Sequence, residues 1–211
     1  MPFAKQRTFH QLFEEVCERL PRALALSADG QPYSYQELWE KSGFFARALL
    51  RAGLKSGERI GLWLPNGVEY ILALLAVSRT GAVAIPLNTR FRQDDLRYLF
   101  EHSSLTMLVC PGVFLQTDFP KLLRQLAPDL APRPSGECST AHIPSLRRVI
   151  AVTDSPPSGF CSFWSFLAEG RSLATGPLES VENAVQPEDT YLLMYTSGSP
   201  STPKGVLLKH A

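Results

Sequence analysis

Apolar and polar positions alternate with helical spacing in several separate stretches of this chain. Apolar side chains recur every three or four residues over residues 9–20, and Pro21 ends that pattern, which predicts an amphipathic helix. Ser34 followed by Glu37 is a capping box, which predicts the start of a second helix that Gly53 ends. Similar spacing and end signals predict further helices over residues 68–79, 93–102, 119–126 and 163–169.

Short apolar runs lie between these helices, and such runs are typical of strands buried on both faces of a parallel sheet. They cover residues 58–64, 82–86, 106–110, 148–152 and 191–195. Residues 23–27 and the region around Tyr33 and Tyr35 flank an Asp29-Gly30 turn signal, which predicts a hairpin. Strands that alternate with helices in this way form right-handed βαβ crossovers. The sequence therefore predicts a single α/β unit with a mostly parallel sheet flanked by helices.

Two parts of the chain lack this patterning. Residues 128–147 are rich in proline and serine and predict an exposed connection, and residues 170–189 also predict a loop. We therefore divide the chain into an αβ core over residues 8–127, the connection, and strands over residues 148–211 that lead into a hydroxyl-rich loop.

Composition and charge narrow the possible functions. The 211 residues carry a net charge of +1 and are 45% apolar, which allows a core and gives no sign of a nucleic-acid partner. The four cysteines are widely spaced, without CxxC or paired Cys/His clusters, which argues against a structural zinc site or a disulfide scaffold. The longest strongly apolar run, residues 70–77, is far below the ~20 residues of a membrane span, and the N-terminus lacks a secretory signal. We expect a soluble, cytoplasmic protein.

The most informative stretch is the small, hydroxyl-rich loop after the last predicted strand. Small residues let the backbone close around an anion, hydroxyl and N–H groups donate to its oxygens, and a lysine adds positive charge. The candidate phosphate-binding residues are Thr196, Ser197, Gly198, Ser199, Pro200, Ser201, Thr202, Lys204 and Gly205. A plain surface turn has the same composition, so composition alone leaves the turn and phosphate binding equally open.

Other loop chemistries fit this stretch less well. Gly198 and Lys204 have the spacing of a Walker-type P-loop, but Pro203 replaces its second glycine and Gly205 replaces its magnesium-binding hydroxyl residue. Ser201 and Lys204 have the S-x-x-K spacing of penicillin-recognising enzymes, but that pair needs a helix, which Pro203 opposes. The chain also lacks a Ser/His/Asp constellation that would indicate a plain hydrolase.

Four stretches of the chain resemble, in the same order, motifs of the acyl-adenylate-forming superfamily, which is also called the AMP-binding superfamily. The loop, followed by Lys209-His210-Ala211, resembles the superfamily's AMP-binding signature. Its first core motif, its first strand and helix, and its second core motif resemble residues 33–38, 53–61 with 64–70, and 81–90. Residues 86–88 and the helix over residues 94–100 favour the acyl-CoA synthetases of fatty or carnitine-type acids. The resemblance covers residues 8–211.

This resemblance implies an ATP-dependent acid–thiol ligase. A carboxylate attacks the α-phosphate of ATP, pyrophosphate leaves, and the thiol of coenzyme A then displaces AMP from the acyl-adenylate. By resemblance, the loop hydroxyls donate to phosphate oxygens, Gly198 permits close backbone approach, and Lys204 offsets charge on the leaving pyrophosphate. No other catalytic residue is assigned. His210 matches a family histidine, for which packing at the sheet edge and contact with substrate are both open.

The chain departs from the family pattern in two ways. Pro200 stands where the family usually has threonine, which removes a hydroxyl and a backbone N–H, and Ser201 replaces a glycine. The family's Mg²⁺ ligand, its adenine and ribose sites and its C-terminal lid all follow this region in family order. We therefore expect an incomplete first lobe of the large N-terminal domain, inactive as this fragment, with a sheet edge open to self-association. The alternative is a non-catalytic module that binds a partner.

Overall fold

The computed structural model describes residues 6–91, 93–196 and 203–211. Its helices are α1 (Phe9–Arg19), α2 (Tyr35–Arg51), α3 (Val68–Arg79), α4 (Gln93–Ser103), α5 (Phe119–Leu126), α6 (Phe163–Ser172) and α7 (Gly176–Glu182). Its strands are β1 (Leu24–Ala28), β2 (Gln31–Ser34), β3 (Arg59–Leu62), β4 (Val83–Pro86), β5 (Met107–Pro111), β6 (Val113–Phe114), β7 (Thr117–Asp118), β8 (Ala131–Pro132), β9 (Cys138–Ser139), β10 (Arg148–Val152), β11 (Cys161–Ser162), β12 (Thr190–Thr196) and β13 (Lys204–Lys209). Among these residues, no helix has the length and apolarity needed to cross a membrane.

A seven-stranded sheet organises the chain, with the strand order β11-β10-β5-β3-β4-β12-β13. Neighbouring strands from β11 to β12 are parallel, and β13 runs antiparallel to β12. The register places Ile60 of β3 beside Ala84 on one side and Met107 on the other. This arrangement confirms the predicted α/β class and its mostly parallel sheet.

Helices cover both faces of the sheet. Met107 and Val109 of β5 belong to the apolar core beneath α2, α3, α6 and α7, and Leu108 and Cys110 belong to the core beneath α4 and α5. Successive side chains of a strand point to opposite faces, so a strand covered on both sides is apolar at every position. This explains why β5 reads as an uninterrupted apolar run.

Local capping fixes the starts of the first two helices. The Thr8 hydroxyl accepts a hydrogen bond from the Gln11 N–H at the start of α1. The Ser34 hydroxyl accepts from the Glu37 N–H, and the Glu37 carboxylate accepts from the Ser34 N–H at 2.8 Å. The predicted capping box is therefore confirmed, and α3 has the predicted bounds.

Two predictions from the sequence were wrong in part. The predicted loop over residues 170–189 contains α7, because Leu178 docks into the core and is only 2% exposed. The connection over residues 128–147 forms β8 and β9, and it buries Cys138, Ile143 and Leu146. Tertiary burial here outweighs a local composition that favours loops.

Candidate functional site

A cleft of about 610 Å³ opens where β3, β4 and β12 end. Its walls include residues 64–66 after β3, residues 86–91 at the end of β4, the β6–β7 hairpin residues 114–115, and Tyr195 of β12. Helix α3 connects β3 to β4 on one face of the sheet, and α4 connects β4 to β5 on the other face. Open α/β sheets bind ligands at the carboxyl ends of strands where successive connections diverge in this way. The cleft therefore lies at the expected ligand position of the fold.

Polar side chains line this cleft beside apolar ones. They are Asn66, Tyr70, Asn88, Thr89 and Arg90. The Asn88 side-chain oxygen accepts from the Arg90 N–H at 2.9 Å, and the Asn88 carbonyl accepts from the Trp63 indole N–H at 3.3 Å. Burial raises the pKa of Tyr70, so its phenol stays protonated at physiological pH. These bonds fix the connection after β4 and present amide, hydroxyl and guanidinium groups to a ligand.

The predicted phosphate loop is the connection of the β12–β13 hairpin. Thr196 and Lys204 are register partners at the two ends of this loop, and the Thr196 hydroxyl lies 3.5 Å from the Lys204 carbonyl. Thr196, Lys204 and Gly205 are all exposed. Ser197, Gly198, Ser199, Pro200, Ser201 and Thr202 lie outside the described residues. The structure therefore locates both ends of the loop, and the phosphate contacts of the residues between them stay predictions.

Helix α4 contacts the loop from the side. The Tyr98 hydroxyl donates to the Pro203 carbonyl at 3.1 Å, and His102 Nδ1 and the Tyr195 hydroxyl form a hydrogen bond of 2.8 Å. A Cβ at Gly205 would lie 2.9 Å from Leu193 Cδ1, so glycine suits this close approach. The sequence patterns do not single out Tyr98 and His102 of α4. Their spacing of four residues on a predicted helix was the available signal.

His210 lies at the opposite end of β13 from the loop. Its Nδ1 accepts a hydrogen bond from the Phe9 N–H at 3.0 Å, and its ring stacks on the Tyr191 ring with centroids 4.8 Å apart. Of the two roles considered for His210, these contacts favour packing at the sheet edge.

In the described part of the chain, strand β13 (residues 204–209) forms one edge of the seven-stranded sheet. Val206, Leu207 and Leu208 are 42%, 61% and 39% exposed. The expected uncovered edge is therefore present in the described part of the chain, and association through it stays a prediction.

The four cysteines are free thiols, and burial limits the reactivity of three of them. Cys17, Cys110 and Cys138 are buried. Burial raises the pKa of Cys110 to about 12 and that of Cys138 to about 11, which keeps both protonated. Within the described ranges, no cluster of three or more His, Cys, Asp or Glu residues could hold a metal ion.

Comparison with known proteins settles the family. Residues 13–211 match the family described as AMP-binding enzyme. The chain belongs to this family. It is 28% identical over 205 residues to the mitochondrial medium-chain acyl-CoA ligase ACSF2 of Danio rerio, covering 96% of this chain and 34% of that ligase. It is 26% identical over 210 residues to tyrocidine synthase 1 of Brevibacillus parabrevis, covering 100% of this chain and 16% of that protein.

Solved structures support the same fold. The anthranilate CoA ligase AuaEII in complex with anthranoyl-AMP matches 99% of this chain with a TM-score of 0.79 at 18% identity, and 36% of that chain is covered. VinN matches 97% of this AMP-binding chain with a TM-score of 0.71 at 24% identity, and 44% of VinN is covered. The chain therefore spans about a third of the length of the acyl-CoA ligase relatives it matches.

Proposed function

We propose that this chain provides the ATP-phosphate loop and the adjoining cleft of an ATP-dependent carboxylate–CoA ligase. Membership of the AMP-binding family and the acyl-CoA ligases among the relatives support this function. The observation that carries it is the β12–β13 hairpin. The hairpin pairs Thr196 with Lys204 directly after Tyr195, which lines the cleft.

The proposed reaction has two steps. A carboxylate oxygen attacks the α-phosphorus of ATP, pyrophosphate leaves, and an acyl-adenylate remains. The sulfur of coenzyme A then attacks the acyl carbon, and AMP leaves. Within this chain, the ammonium of Lys204 offsets negative charge on the departing pyrophosphate, and the hydroxyl and N–H groups of residues 196–202 donate to phosphate oxygens.

The residues present fit nucleotide and acyl binding. A cleft of about 610 Å³ lies within the ~300–1,000 Å³ typical of small-molecule sites. Arg90 and Asn88 offer donors suited to phosphate and carbonyl oxygens. We further propose that the acid is of the fatty or carnitine type. Mg²⁺ would accompany the ATP phosphates, and we assign none of its ligands to this chain.

We also propose the division of the chain and its location that the sequence favours. The chain is the first lobe of a larger N-terminal domain, with residues 8–127 as its αβ core. We place the protein in the cytoplasm, although the ACSF2 relatives are named as mitochondrial. Microscopy of the full protein fused to a fluorescent protein at its C-terminus tests this location, and a mitochondrial signal would contradict it.

The phosphate-binding role can be tested on the 211-residue chain by calorimetric titration with pyrophosphate and with Mg·ATP. Lys204 and Lys209 are both exposed on β13, at its two ends, so they form a matched pair. We expect Lys204→Ala to weaken binding by about tenfold or more, because a bond to a charged group contributes ~1.5–3 kcal/mol. Lys209→Ala should leave the dissociation constant within about twofold. Equal effects of the two substitutions would contradict the proposal.

A second candidate is a non-catalytic module that pairs with another chain through β13. The exposed apolar side chains of Val206, Leu207 and Leu208 on the sheet edge favour it. Analytical ultracentrifugation of the purified chain should then show association that Leu207→Lys abolishes and Leu115→Lys, at another site that is 69% exposed, does not. A monomer at all concentrations would argue against self-association.

A further inference from the structure

A second groove lies between α2 and the turn that joins α6 to α7. Its volume is about 310 Å³, and none of the residues that line the cleft described above lines it. Its apolar walls include Leu50, Leu173, Pro177 and Leu178. The charged groups that line it are the guanidinium groups of Arg47 and Arg51, and no carboxylate lines it within the described residues.

Close packing of α2 against α6 holds one of these arginines in place. A Cβ at Gly170 would lie 1.8 Å from the Phe44 carbonyl oxygen, so the two helix backbones approach closely at this glycine. Arg47 Nε donates to the Gly170 carbonyl at 2.9 Å, and its guanidinium lies over the Phe44 ring, 5.1 Å from the centroid. The Arg47 side chain is therefore positioned before any ligand arrives.

The two arginines give the groove a positive rim. Arg47 and Arg51 are four residues apart on α2, so they lie on the same side of the helix. Within the described ranges, neither guanidinium forms an ion pair. Glu182 acts electrostatically on Arg47 but is itself paired with Arg79. Glu169 and Arg51 both line a neighbouring cleft, without an ion pair between them.

We propose that this groove binds an anionic amphiphile, namely a free aliphatic carboxylate of fatty-acid type. The hydrocarbon chain would pack on the leucine walls, and the carboxylate would accept hydrogen bonds from Arg47 and Arg51. Guanidinium groups match carboxylate geometry, and apolar walls favour a hydrocarbon over a polar chain. A purely polar anion would leave the walls exposed to water. The inference stands whether or not the chain is part of a ligase.

A chain-length series on the unmodified protein tests the inference first. Hexanoate, octanoate and decanoate are titrated by calorimetry at concentrations below their micelle thresholds. We expect the dissociation constant to fall by about fourfold per methylene until the groove is full, because each buried methylene contributes ~0.8 kcal/mol. Decanol, which has the same chain length without the charge, should bind several-fold more weakly. Equal affinities across the series, or for decanol and decanoate, would overturn the proposal.

Substitutions then locate the site. Arg51→Gln should weaken decanoate binding by about 1.4- to fivefold, because an exposed charge pair contributes ~0.2–1 kcal/mol. Leu173→Asn should weaken it further by removing apolar contact. Arg22→Gln, at an exposed arginine outside the groove, is the control and should leave the decanoate dissociation constant unchanged. Thermal unfolding of each variant verifies that it is folded.

Two further experiments distinguish binding in this groove from binding in the cleft and from binding to a membrane surface. Lys204→Ala and saturating pyrophosphate should leave decanoate affinity unchanged, and a loss in either case would place binding in the cleft. Failure of pyrophosphate binding would count against the proposed ligase function only. Vesicles of phosphatidylglycerol are the last arm, because they offer the same acyl and anionic groups in a membrane. Binding to vesicles without binding to dissolved decanoate would overturn the proposal.

Discussion

The backbone N–H of Phe9 donates to Nδ1 of His210 at 3.0 Å and so joins the first turn of α1 to the residue after β13. The Phe9 ring stacks on Tyr191, with centroids 5.4 Å apart, and His10 meets the His210 ring edge-on at 6.1 Å. A ring nitrogen that accepts a hydrogen bond carries no proton. This junction between the two ends of the described chain therefore requires neutral His210.

We expect the free energy of unfolding to fall on acidification from pH 6.5 to pH 4. Burial lowers the pKa of both His10 and His210 to about 4, and their mutual repulsion adds to the lowering at His10. The unfolded chain binds protons below about pH 6.5 that the folded chain does not bind until about pH 4, so acid favours unfolding. For His10, the shift corresponds to at most about 3 kcal/mol. Urea unfolding at a series of pH values between 7.5 and 4 measures this loss in the free energy of unfolding.

His210→Asn and His142→Asn are the matched variants for this experiment. In the first variant, the amide oxygen of the introduced asparagine can still accept from the Phe9 N–H but does not titrate, so the unfolding free energy should depend less on pH. His142 is exposed and contacts Asp129. The second variant should therefore keep the fall in unfolding free energy that protonation of His10 and His210 causes at low pH. The same pH dependence in both variants would show that His210 does not contribute.

The buried ion pair between Arg79 and Glu182 should be sensitive to loss of one charge. The Arg79 side chain is 8% exposed, lies over the Trp39 ring at 3.6 Å, and donates to the Trp39 carbonyl at 2.7 Å. We expect Glu182→Gln to destabilise the fold by about 3 kcal/mol, because it leaves a buried guanidinium uncompensated. Asp94→Asn at the exposed pair with Arg97 should cost less than about 1 kcal/mol. Chemical denaturation compares the two, and similar losses would contradict this account.

Two glycines on neighbouring helices should respond oppositely to a methyl group. At Gly170, an added Cβ would lie 1.8 Å from the Phe44 carbonyl oxygen, whereas at Gly176 nothing lies within 4 Å. We expect Gly170→Ala to destabilise the fold by about 2 kcal/mol or more, because α2 and α6 must separate. Gly176→Ala should be neutral or stabilise the fold by up to about 1 kcal/mol. Thermal and urea unfolding measure the stability of both variants. A Gly170→Ala variant as stable as the unmodified protein would contradict the close packing of α2 and α6.

Tyr98 should affect phosphate binding without touching phosphate. Tyr98→Phe removes the bond from its hydroxyl to the Pro203 carbonyl, next to Lys204. We expect the pyrophosphate dissociation constant to rise about fivefold, which corresponds to the ~1 kcal/mol of an ordinary hydrogen bond, with little change in stability. Tyr35→Phe at the start of α2 is the control. If Tyr98→Phe leaves pyrophosphate affinity unchanged, α4 does not position the loop.

The most accurately predicted parts of the fold depend on local signals. The Ser34–Glu37 capping box joins neighbours in sequence, and α3 is bounded by Gly67 and Gly81. The helix over residues 119–126 is predicted with its observed bounds, and in the structure the Asp118 side chain caps its N-terminus. In each case the deciding contacts lie within a few residues of one another.

The parts that were not predicted depend on contacts between distant residues. The sequence around Gly176 predicts a loop, because it contains Thr175, Gly176 and Pro177. Helix α7 forms there because Leu178 is buried in the apolar core. The cleft was missed for a similar reason. Asn66 and Asn88 each follow an apolar strand, which was a usable signal, but only the strand order shows that their two connections meet.

The strand order also has a consequence for the time course of folding. Strands β3, β4 and β5 follow one another along the chain through single helical crossovers, whereas β12 pairs with β4 through Leu192 and Ala84, which are far apart in sequence. Pairings that close long loops form more slowly than local ones. We therefore expect β12 and β13 to join a sheet that has already formed around β3. The chain would then have a folded core before it has a place to hold phosphate.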